Sequence, residues 1–159
     1  MNLLTGIEST ELFGGEVSPA VQHLIEVARN APREQVAAAL WTAALTAPQS
    51  LAIYYLLYKF HAGLGELGEA QKAARKGLDA AARAAALAPD WRAVCPGDAD
   101  FTTPGPARFW LFTLKALAFI SLRLGEREAV VALIAQLHRL DPSDQLGAGV
   151  VEALLQQST

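Results

Sequence analysis

A chain of 159 residues with 52% hydrophobic side chains and a net charge of −3 has the length of one domain and enough of it to bury a core without disulfide staples. Alanine (31) and leucine (24) fill 55 of the 159 positions while β-branched residues are sparse, which argues against all-β and doubly wound folds. The acidic balance offers no field to a polyanion, so no nucleic acid partner is expected, and the single Cys95 excludes an internal disulfide and fits a reducing compartment.

The chain starts MNLLTGIESTELFGGEVS, with no basic region and with Glu8, Glu11 and Glu16 where a signal peptide would be apolar, so a cytoplasmic protein is expected. Residues 1–17 read as an N-terminal segment and 18–157 as a single all-α domain of about seven helices. Ser18-Pro19 caps and opens the first helix, which stops before Pro32. A second runs from about Arg33 to Ala47 and ends at Pro48. Ser50 caps a third that reaches about Leu64, with Gly65 as its terminal glycine. The fourth spans about Glu66 to Ala88, where Pro89 ends it, and presents Ala70, Ala74, Leu78, Ala81 and Ala85 for close backbone approach. Arg75, Asp79 and Arg83 form a solvated ladder on its other side.

After an inserted loop at 89–105, Pro106 opens a fifth helix that is apolar on nearly every side and closes at Gly125. The sixth, about Glu126 to Leu140, carries the stripe Val130, Val131, Ile134, Leu137, Leu140. Asp141-Pro142-Ser143-Asp144 then reads as a cap that starts a final helix to about Gln157. The twenty-four uncharged residues from Gln35 to Tyr58 are long enough for a bilayer, which takes roughly 20, but Thr42, Thr46, Pro48, Gln49 and Ser50 break them into two helices, so no membrane is expected.

The break at Asn30-Ala31-Pro32 and the break at Leu64-Gly65-Glu66 lie 34 residues apart. Three stretches carry the candidate motif residues: Val36, Leu40, Ala43 and Pro48 in the first, Tyr54, Leu57, Leu64-Gly65-Glu66 and Ala70 in the second, and, most clearly, Leu114, Leu117, Leu124-Gly125-Glu126, Leu140 and Asp141-Pro142 in the third. In period and in these positions the chain resembles the tetratricopeptide repeat family, whose antiparallel helix pairs stack into a short α-solenoid. The third turn follows the second by 60 residues, 26 more than the period, and Ala118, Val130 and Leu137 are bulkier than the family's small positions.

Catalytic chemistry finds little support. His23, His61 and His138 sit on three predicted helices, none within four residues of another histidine or of a cysteine, and each reads as a surface or half-buried side chain, so no metal is expected. Cys95 has no basic residue locally placed to activate it and reads as an inert thiol. Phosphate loops and nucleophile elbows are missing, and neither enzymatic activity nor a cofactor is expected.

The resemblance implies instead that the first helix of each pair lines a concave face. That places Val21, Ile25 and Arg29, then Tyr55 and Lys59, then Phe112, Lys115, Phe119 and Arg123, along a partner-binding groove. Such an aromatic and basic list suits an acidic or amphipathic segment of another protein, while Phe112 and Phe119 read equally well as core. Trp91 and Phe101 in the inserted loop either fold back over the fourth and fifth helices or anchor a partner. An adaptor, assembly factor or chaperone for a larger client is the expected role. Small bacterial helical-repeat factors that accompany metalloenzymes such as nitrogenase, or secretion substrates, have this size and type, and no motif selects either. A helical small-molecule sensor and a self-associating structural protein, with the fifth helix buried by a second copy, are the alternative readings.

Overall fold

The computed structural model describes residues 17–157, so Glu8, Glu11 and Glu16 lie outside the described residues. Among these, seven α-helices and no strand are found: α1 Pro19–Arg29, α2 Val36–Thr46, α3 Leu51–Gly63, α4 Leu67–Ala85, α5 Pro106–Arg123, α6 Arg127–Leu140 and α7 Ala148–Gln157. Each helix packs against its neighbours in sequence order, and the most extensive interfaces are those of α4 with α3 and with α5. The result is an all-α, solenoid-like stack of antiparallel helices. On one side of it α3, α5 and α7 also touch in series.

Local chemistry explains most of the boundaries. The Ser18 hydroxyl accepts from the Val21 N–H at 3.3 Å, with Pro19 at the first helical position, where a missing N–H costs nothing. A single 3₁₀ turn, Arg33–Gln35, precedes α2, so regular helix begins three residues later than the sequence predicts. The two threonines that interrupt the apolar run bond back along the helix, Thr42 to the Ala38 carbonyl at 2.8 Å and Thr46 to the Thr42 carbonyl at 3.0 Å. Ser50 stands at the N-cap of α3 without a capping bond from its side chain; the turn is tied instead by the Tyr54 hydroxyl donating to the Pro48 carbonyl at 2.8 Å. No described helix is long and apolar enough to cross a membrane.

Two identical turns close the hairpins α3–α4 and α5–α6. The Glu66 N–H donates to the His61 carbonyl and the Gly65 N–H to the Ala62 carbonyl; Glu126 and Gly125 repeat this onto Ser121 and Leu122. Gly65 (φ +75°) and Gly125 (φ +79°) supply the left-handed residue such a Schellman closure needs. Helix α4 ends by the same device three residues before its expected end. Ala86 takes φ +57°, and the Leu87 N–H reaches the Ala82 carbonyl at 2.8 Å. That reversal turns Leu87 into the core, where it is 8% exposed, and Pro89 plays no part in ending the helix.

Two further expectations are corrected, and the choice between a folded-back and a partner-anchoring loop is decided for the former. Helix α7 starts at Ala148, because the Asp141 carboxylate closes a loop by accepting from the Gln145 and Leu146 N–H groups at 3.0 and 2.9 Å and caps no helix. On α6, Val131 faces solvent and Leu133 takes its place in the core, since the buried face is set by α5 and the loop together. The segment 89–105 is folded down: Val94 and Phe101 are buried, and the Phe101 ring sits 5.8 Å from that of Trp110.

Candidate functional site

The helices α3 and α5 run side by side because both are apolar around most of their circumference and each needs cover on more than one flank. From Ala52 to Tyr58 every residue of α3 is buried. The first charged residue after that run is Lys59, half-buried, with its ammonium 5.4 Å from the centre of the Tyr55 ring. On α5, Phe112 leans on the same ring at 6.0 Å, and Lys115 and Phe119 follow at helical spacing on the same face.

Helix α7 supplies the third side. Val150 and Val151 join Tyr58, Lys59, Phe112, Lys115 and Phe119 around an open cavity of about 280 Å³. Its rim remains apolar: Phe119 is 38% and Val150 63% exposed. Tyr58 is buried, and its hydroxyl lies 3.3 Å from that of Thr113. Burial pushes this phenol far above its ordinary range, against the opposing effect of the Thr113 hydrogen bond, so it stays neutral. The charges at the cavity are therefore two ammonium groups, and neither Lys59 nor Lys115 has a carboxylate partner among the described residues.

Five of the residues singled out from sequence thus converge here, with Tyr55 as a buried wall that seats Lys59 and Phe112, and with Lys59, Phe112, Lys115 and Phe119 lining the cavity. The others do not join them. Arg29 pairs with Glu26 at 3.2 Å on α1, and Arg123 lies beyond the cavity at the exposed end of α5. Phe101 is core, which removes it as an anchor, and Trp91 lies in the loop, its carbonyl held by Gln136 at 2.8 Å. The α7 contribution was missed. Its signal, Val150 and Leu154 one turn apart and both exposed, is legible only once the helix start is placed correctly.

Side chains elsewhere depart from the sequence reading as well. His61 is buried at 3% exposure, contrary to the surface or half-buried placement expected of it. The Trp41 indole N–H donates to its Nε2 at 3.1 Å, and because an indole can only donate, Nδ1 carries the proton given to Glu66 at 3.0 Å. Cys95 does have a basic neighbour, the Arg139 guanidinium at 3.3 Å from Sγ, brought from α6 by the fold. Among the described residues no group of three or more His, Cys, Asp or Glu side chains is arranged to hold a metal ion.

Comparison with protein-family models, with curated proteins and with solved structures finds no match for this chain. The functional reading therefore rests on the geometry of the trough between α3, α5 and α7.

Proposed function

We propose that the chain is a protein-binding module of tetratricopeptide type, acting as an adaptor, assembly factor or chaperone that receives an acidic, amphipathic segment of another polypeptide in this trough. The observation that carries the reading is the pair of unpaired ammonium groups, Lys59 and Lys115, flanking an apolar cavity with Phe119 and Val150 at its rim. An apolar anchor entering the cavity removes that surface from water, and carboxylates beside it meet both lysines at once. In this reading the module contributes binding and no catalysis.

Charge reversal of both lysines, Lys59→Glu with Lys115→Glu, is expected to abolish co-purification of the acidic client while leaving the melting temperature unchanged, because both side chains reach solvent. An unaltered pull-down from the double variant discards the reading. A client retained by it only at low salt also counts against the trough, since the remaining attraction would then come from elsewhere.

A further inference from the structure

The inserted segment 89–105 builds one wall of a second cavity, on the other side of α5 from the trough. The cavity holds about 340 Å³, in the lower range of ligand sites, and is closed by α4, α5, α6 and the loop residues Pro89, Trp91 and Arg92. The wall is fixed in place. Gln136, buried on α6, donates to the carbonyls of Trp91 and Val94 at 2.8 and 2.7 Å, and Arg139 reaches the Val94 carbonyl at 3.5 Å.

We infer that this cavity binds a small zwitterion, an apolar α-amino acid. Arg75 and Asp79 stand one turn apart on α4 at the cavity, yet they form no ion pair, and neither has a hydrogen-bond partner among the described residues. Arg92 stacks over the Trp91 ring at 4.2 Å, which leaves the guanidinium edge to donate, with only a loose 3.8 Å approach to Asp90. Two guanidinium groups fit a carboxylate, and the Asp79 carboxylate fits an ammonium beside it. A dianion would meet Asp79 at the same opening. Ser121, buried at the floor, accepts from Gln71 at 3.3 Å and keeps its own hydroxyl hydrogen to donate. The remaining lining is hydrocarbon, Leu78, Leu117 and Leu133, and takes an aliphatic side chain.

Titration of the full chain with L-leucine, followed through the Trp91 indole resonance, tests this. Trp91→Phe assigns that resonance apart from Trp41 and Trp110. Two analogues with one charge each, 4-methylpentanoate and 3-methylbutylamine, serve as the comparison. Leucine is expected to give a saturable shift, with both analogues at least about tenfold weaker, because each leaves one charged group unpaired. Arg75→Gln should weaken leucine by about the same factor, and Asp79→Asn should erase the preference for leucine over 4-methylpentanoate. Both side chains are exposed, so these variants keep the native melting temperature. Lys59→Gln, in the trough, should leave the titration unchanged. No saturable shift up to about 50 mM overturns the inference, as does equal affinity for all three compounds.

Discussion

Hairpins α3–α4 and α5–α6 are related by a shift of 60 residues, close with the same turn, and fill their interiors in opposite ways. Where the first has Tyr54 and Tyr58 on one helix against Ala70, Ala74 and Gly77 on the other, the second has Leu114 and Ala118 against Val130, Ile134 and Leu137. All ten of these residues are buried. In the first hairpin bulk lies on α3, and α4 is stripped to small side chains so that a Cβ built on Gly77 would stand 2.9 Å from the Tyr54 Cβ. The second spreads its volume over both helices. A common backbone turn therefore tolerates different divisions of side-chain volume, provided each interface reaches native packing density.

Both hairpins are also latched to the preceding one at the same level. Trp41 of α2 donates to His61, whose other nitrogen donates to Glu66; Gln71 of α4 donates to Ser121 at 3.3 Å and to Glu126 at 2.7 Å. His61 and Ser121 occupy equivalent positions, as do Glu66 and Glu126. The glutamate of the turn is thus held twice by groups of unlike chemistry.

The sharpest way to break the comparison is to move volume at one equivalent site in opposite directions. Leu137→Ala leaves a cavity in the second hairpin and should cost about 2–5 kcal/mol in denaturant unfolding. Gly77→Ala at the matching position adds one methyl against the stem of Tyr54, not the end of a flexible chain, and should cost about 1–3 kcal/mol. A neutral Gly77→Ala would show that α3 and α4 separate freely and that the division of volume is incidental.

A smaller effect separates the latches. Trp41→Phe keeps the ring but removes the donor to buried His61, and should lower the unfolding free energy by about 1–2 kcal/mol. Gln71→Leu should cost less, because its short 2.7 Å bond is to the exposed Glu126 carboxylate, where water replaces it, and its contact with buried Ser121 is long at 3.3 Å. Equal losses measured by urea titration would remove the distinction between a buried and a solvated latch.

The turns and five of the groove residues were legible in the sequence because glycine, proline and i,i+4 spacing act locally. Leu64-Gly65-Glu66 and Leu124-Gly125-Glu126 carry their own geometry, and Phe112, Lys115 and Phe119 share a face wherever that helix packs. Two of the failures depend on partners outside the local segment, and a third on a loop bond that competes with the cap. Phe101 is core only because Trp110 waits for it, Arg139 reaches Cys95 across 44 residues, and Asp141-Pro142 has the letters of a helix cap while its carboxylate bonds farther along a loop. Ser121 and Arg75 carry no motif at all, and their cavity exists only because the inserted segment folds onto α4, α5 and α6.

The closure at the end of α4 was illegible for a different reason, which gives the last and smallest test. Three Schellman closures share one backbone conformation, with Gly65, Gly125 and Ala86 at the left-handed position. No atom lies within 4 Å of a Cβ built at Gly65 or Gly125, so Gly65→Ala and Gly125→Ala should each cost about 1 kcal/mol, equally, through backbone strain alone. At the third site the same exchange runs backwards. Ala86→Gly relieves the Cβ clash, loses part of that gain to the greater freedom of glycine in the unfolded chain, and should raise stability by about 0.5–1 kcal/mol in thermal unfolding. A stability loss there instead would mean that the methyl group of Ala86 contributes packing that outweighs the strain, and the three closures would no longer be energetically alike.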